Sequence, residues 1–164
     1  MNRGTTFYYN VVTSCFVFAD KNDLDKAINN YNEEIKIYQE YQDLIKEGQG
    51  QVLSDLARAF MKRGTAFDAK NDLDEAINNY TQAIKIYHRL IKEGNSEKLS
   101  DLARAFIKRG NVFRDKSDLD MAIFNWKIAR DIYQGLVGIG QFYYKSYIEN
   151  IDKLLRECKK SRKN

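Results

Sequence analysis

Apolar side chains recur along this chain at intervals of three and four. Between residues 73 and 91 they fall at Leu73, Ala76, Ile77, Tyr80, Ala83, Ile84, Tyr87, Leu90 and Ile91. These positions share one face of a 3.6-residue helix, and the alternation of a half-buried strand is absent. A second pattern precedes it. Leu56, Ala57, Phe60, Gly64 and Phe67 line one side of a helix expected from about Val52 to Lys70. Leu102, Ala103, Phe106, Gly110 and Phe113 repeat that side in a helix expected from about Lys98 to Lys116. A last stripe runs through Tyr144, Tyr147, Ile148, Ile151, Leu155 and Cys158. It predicts a helix from Gln141 to Lys160, with Lys145, Glu149, Asn150 and Lys153 facing outward.

The pattern recurs because the sequence does. Asn22–Tyr38 and Asn71–Tyr87 agree at 13 of 17 positions, and Gly48–Gly64 and Gly94–Gly110 at 12 of 17. A looser third copy opens at Ser117. Each unit reads as two helices. Asn22, Asn71 and Ser117 each stand three residues before an acid, Asp25, Asp74 and Asp120, which is the spacing of a helix-starting capping box. Gly48, Gly94 and the cluster Gly135, Gly138 and Gly140 are the expected stops. Gly64 and Gly110 fall inside helices, where glycine costs about 1 kcal/mol against alanine. The expected return is a close approach of the partner helix, with Ala76 and Ala122 facing the glycines. At the start of the chain, residues 3 to 20 read as one first helix. Two repeat registers there differ by 11 residues, close to three turns, so both keep the same face inward.

The chain of 164 residues contains no proline, which suits long helices. Its longest apolar run, Val11 to Ala19, falls well short of the roughly 20 residues that span a membrane. No secretory signal pattern opens it, so a reducing cytoplasm is the expected location. Cys15 and Cys158 cannot build a disulfide framework or a four-thiolate zinc site, and His88 is the single histidine. The net charge of +4 equals that of Lys159, Lys160, Arg162 and Lys163, so a neutral body carries a basic end. No phosphate-binding loop, catalytic constellation or cofactor motif is visible. The chain therefore reads as a non-enzyme without metal or cofactor.

The spaced residues Phe60, Gly64, Phe67, Ala76, Tyr80 and Ala83 resemble the tetratricopeptide repeat. So do Phe106, Gly110, Phe113, Ala122, Trp126 and Ala129 in the next unit. The first unit, with Val11, Cys15, Phe18, Ala27, Tyr31 and Glu34, fits more loosely. The resemblance implies an all-α, right-handed α-solenoid of three helix-turn-helix repeats, at about residues 3–47, 52–93 and 98–135, together forming a 1–137 array. Residues 138–160 are then a capping helix, giving about seven helices, and 161–164 a basic tail. The period exceeds the family's usual 34 residues or so, because no proline ends the second helices.

In proteins resembling this one, the first helix of each pair lines a concave groove that holds a peptide or another protein's helix. By exclusion of the core, the groove stripe carries Arg58, Met61, Lys62, Thr65 and Asp68, then Arg104, Ile107, Lys108, Asn111 and Arg114, with Tyr9, Val12, Thr13 and Phe16 from the first unit. The candidate partner-binding residues are Tyr9, Thr13, Phe16, Arg58, Lys62, Thr65, Arg104, Lys108, Asn111 and Arg114. The cations suit an acidic segment, because the arginine fork can hold a carboxylate with two parallel hydrogen bonds. The competing reading is a solvated face of neighbour ion pairs. The leading expectation is a protein-interaction scaffold or adaptor. The alternatives are a self-associating structural module and nucleic-acid binding through the basic stripe and tail.

Overall fold

The computed structural model describes the backbone of residues 21–44 and 49–161, and the side chains of 21–40 and 49–160. Among these residues it holds six α-helices and no strand: α1 (Lys21–Leu44), α2 (Gln49–Ala69), α3 (Leu73–Lys92), α4 (Leu99–Asp115), α5 (Leu119–Gly138) and α6 (Lys145–Ser161). Short 3-10 turns, Ser96–Lys98 and Phe142–Tyr144, lead into α4 and α6. The first helix expected over residues 3 to 20 lies outside the described residues. Each helix packs on its neighbours in the chain, so α2–α3 and α4–α5 form successive hairpins of an all-α solenoid. No described helix is long and apolar enough to cross a membrane.

The apolar stripes form the core. Leu56, Ala57, Phe60, Ala83, Ile84, Tyr87 and Leu90 join Leu102, Ala103, Phe106, Trp126, Ala129 and Tyr133 in one continuous cluster that reaches Ile151, Leu155 and Cys158 of α6. The outer side of α6 carries exposed Lys145, Glu149, Asn150 and Lys153. Tyr147 departs from the expected stripe and is half exposed.

Two expectations about local structure are corrected. The residues facing Gly64 and Gly110 are large. A Cβ at Gly64 would lie 2.9 Å from the Tyr80 ring and 3.2 Å from the Asn79 Cβ. At Gly110 it would lie 2.7 Å from the indole of Trp126. The glycines admit fully buried rings rather than bringing Ala76 and Ala122 against the backbone.

The helix starts differ as well. Asn71 and Ser117 adopt left-handed φ values of 61° and 64°, which closes the helix before them. The amide of Asp72 donates to the Phe67 carbonyl and that of Asn71 to Asp68, both at 2.9 Å. Asp118 and Ser117 repeat the pair on Phe113 and Arg114, both at 2.8 Å. This is the six-to-one and five-to-two bonding of a Schellman stop. The caps of α3 and α5 therefore fall one residue later. Asp72 accepts from the Glu75 amide at 3.4 Å and Asp118 from the Met121 amide at 3.1 Å. Gly94 and Gly140 stop α3 and α5 in the same way, with φ values of 97° and 93°. Gly135 and Gly138 remain inside α5.

Candidate functional site

The helices α2, α4 and α6 follow one another along one side of the solenoid. Asp68 of α2 feels the charges of Lys108 and Arg114 of α4, and Arg114 in turn acts on Cys158 of α6. The seam between successive hairpins is held by a repeated polar motif. The Arg63 Nε donates to the Asn79 Oδ1 at 2.6 Å, while its guanidinium also reaches the Asn32 Oδ1 of α1 at 2.7 Å. One unit later, Arg109 donates to Asn125 at 2.8 Å and to Thr81 of α3 at 3.0 Å. Asn79 and Asn125 are fully buried, and their amide groups donate back to the Glu75 and Met121 carbonyls. Each arginine thus ties three consecutive helices together. Ion pairs from Lys70 to Asp25 and from Lys116 to Asp74 repeat along the same seam.

The groove candidates fall into distinct environments. Arg58 and Arg104 are exposed and pair along their own helices with Asp55 and Asp101. Lys62 reaches Glu34 of α1 at 3.9 Å and lies over the Tyr31 ring. Thr65 donates to the Met61 carbonyl at 3.0 Å and shares a 3.1 Å hydrogen bond with the Tyr80 hydroxyl. Asn111 occupies the matching position and accepts from the Trp126 indole at 3.1 Å. Lys108 is half-buried beside Asp68. Burial pushes Asp68 up and Lys108 down, and their mutual attraction only partly opposes it. Arg114 pairs with Asp115 at 2.9 Å. Tyr9, Thr13 and Phe16 lie outside the described residues.

Two clefts flank the start of α4. The first, about 300 Å³, is lined by Ser54 and Arg58 of α2, Tyr87 of α3, and Lys98, Asp101 and Arg104. It brings Arg58 and Arg104 together from different hairpins. The second, about 330 Å³, lies between Ser96, Glu97 and Ser100 and the group Leu136, Gln141, Tyr143 and Tyr144. Tyrosines pack around it: Tyr133 stacks on Tyr144 at 4.9 Å, and Tyr147 lies 5.2 Å from Tyr133. Ile139, Phe142 and Tyr143 are the most exposed large apolar side chains among the described residues. Sequence reasoning placed Tyr87 in the core and did not single out Ser54 or Lys98. The repeat offered a signal for Ser54, since it recurs as Ser100 in the matched segments, but a serine within a helix has no patterned partner.

His88 packs edge-on to Phe106. No group of three or more His, Cys, Asp or Glu residues able to hold a metal occurs among the described residues.

The packing of Phe60, Gly64, Tyr80 and Ala83 within one hairpin is that of a recognised helical repeat. Residues 57–87 match the family model described as tetratricopeptide repeat. This assigns the α2–α3 hairpin to the tetratricopeptide repeat family, whose members generally mediate protein–protein interactions. The α4–α5 hairpin has the same glycine, ring and arginine–asparagine arrangement. No curated protein and no solved structure gives a significant match to the chain.

Proposed function

We propose that this chain is a non-catalytic scaffold that holds an acidic segment of a partner protein along the face formed by α2 and α4, and that it works in the cytoplasm. The observation that carries the reading is the convergence of Arg58 and Arg104, from two successive hairpins, on one cleft that also receives Lys98. Their ion pairs with Asp55 and Asp101 are exposed local pairs, each worth only a few tenths of a kcal/mol. An incoming carboxylate can therefore compete for the guanidinium groups, with Arg58 and Arg104 each supplying a planar fork.

The test is retention of partners by the wild-type chain and by the double variant Arg58→Glu, Arg104→Glu, with helicity matched by circular dichroism. The expected result is a protein retained by the wild type, lost by the variant and displaced by an acidic peptide. Identical partners on both chains would reject the groove as the site.

A further inference from the structure

The exposed side of α5 departs from its counterparts in α1 and α3. Met121, Phe124, Ile128, Ile132, Gly135 and Ile139 fall within about 80° of one another around the helix. The matching positions of α3 are Glu75, Asn78, Gln82, Ile86, Arg89 and Glu93, and those of α1 begin Lys26, Asn29 and Glu33. Met121, Phe124 and Ile139 are 36%, 54% and 72% exposed, and Ile128 and Ile132 are only partly buried. Among the described residues, every exposed large apolar side chain except Ile37 falls between Met121 and Tyr147.

Gly135 adds a second observation. It lies inside α5, where glycine is a poor helix former, yet a Cβ there would meet no atom within 4 Å. The rings that account for Gly64 and Gly110 have no counterpart at this position. Packing within one copy gives no reason for the glycine, whereas close approach from outside does.

The stripe complements itself when two copies of α5 run antiparallel about a two-fold axis near Arg130. Ile128 then meets Ile132, Met121 meets Ile139, and Phe124 meets the gap at Gly135, in registers that agree within one residue. Lys127 and Asp131 stand exposed on one flank of the stripe, and the same arrangement brings Lys127 of each copy beside Asp131 of the other. Lys127 makes no ion pair among the described residues, and Asp131 has a 3.5 Å contact with Arg130. A parallel pair would set Phe124 on Phe124 and Lys127 on Lys127.

The area is sufficient. Taking about 200 Å² for a whole side chain of this size, the stripe exposes roughly 400 Å² of apolar surface, the size of a patch that marks an interaction site. A two-fold axis counts it twice. Because apolar atoms make up about 60% of an interface, roughly 800 Å² of apolar contact corresponds to roughly 1,300 Å² in total, inside the range of stable pairs.

We propose that the chain pairs with a second copy of itself through antiparallel contact of α5 with α5, Phe124 of each copy seating at Gly135 of the other. The stripe shares no residue with the cleft of Arg58 and Arg104, so pairing and groove binding are tested separately.

Sedimentation equilibrium of the full chain is expected to show a reversible dimer with a Kd of about 100 μM or tighter. Phe124→Glu is expected to weaken it by about tenfold or more at unchanged helicity, because the side chain is exposed in a single copy. Gly135→Leu separates helix from interface: it should weaken the dimer by about tenfold while raising the melting temperature of the dilute monomer. Lys127→Asp and Asp131→Lys should each weaken pairing about threefold and together restore it, the signature of contact between copies. The control Asn78→Glu, at the matching position of α3, should change nothing.

A chain that stays monomeric at about 500 μM overturns the proposal, and capture of that monomer by phosphatidylcholine vesicles assigns the stripe to a lipid surface instead. A dimer that survives Phe124→Glu overturns it by placing the contact elsewhere. A dimer lost in Phe124→Glu but indifferent to Gly135→Leu and to the charge exchange overturns the antiparallel register.

Discussion

At Gly110 two energies oppose each other. Alanine would favour the helix by about 1 kcal/mol, but its methyl group would stand 2.7 Å from the fully buried indole of Trp126. The indole is rigid and already held by its hydrogen bond to Asn111, so the clash wins. Gly110→Ala is expected to lower unfolding free energy by about 1–3 kcal/mol in urea titration. At Ser117 a single residue costs stability in the other direction. Its left-handed φ of 64° is unfavourable for a residue with a Cβ. Ser117→Gly is therefore expected to stabilise the chain by about 0.5–1 kcal/mol, after the entropy that glycine loses on folding. Asn71, in the same conformation, tolerates it better, and Asn71→Gly should change the urea midpoint much less.

Between elements, the arginine–asparagine seam converts a row of hairpins into one body. Arg109→Met would leave the Oδ1 of the fully buried Asn125 without its donor and release Thr81 of α3. The expected loss is about 1–3 kcal/mol, and the double variant with Asn125→Leu should cost less than the two single changes added together. The half-buried pair Asp68 and Lys108 gives a pH signature. Because Asp68 binds its proton more readily folded than unfolded, its contribution to stability increases as pH falls through the raised value toward the ordinary carboxylate range. Asp68→Asn is expected to remove that acid-side increment, read as the difference between wild-type and variant urea midpoints across the acidic range.

At the scale of the whole molecule, α6 packs against the α4–α5 hairpin through α5. With the turn that leads into it, it joins Tyr144, Ile151 and Leu155 to the cluster of Tyr133 and Leu136, and it turns a charged side outward. A chain ending at Gly140 is expected to bind an apolar dye and to unfold at lower temperature with reduced cooperativity, because a repeat array needs its last apolar face covered.

The helices and their inward faces were legible in the sequence. Period and repeat are local, and Phe60, Gly64, Tyr80 and Ala83 recur at spacings that one helix geometry explains. The positions of the stops at Gly94 and Gly140 were legible for the same reason, since a left-handed residue is a local demand. The caps at Asp72 and Asp118 were misplaced by one residue, because the preceding Schellman stop uses Asn71 and Ser117 first. What tertiary structure decided is which polar atoms meet. Arg63 and Arg109 carry no local sequence signal, yet each reaches residues 16 positions away in one helix and about 30 away in another. Ser54, Tyr87, Lys98 and Arg104 come from three segments, and only helix packing brings them into one cleft. Hydrophobic burial follows from periodicity because it is non-directional and set by the face of a helix. Hydrogen bonds and charge clusters depend on distances and angles across the seam between helices, and those exist only once the hairpins have stacked.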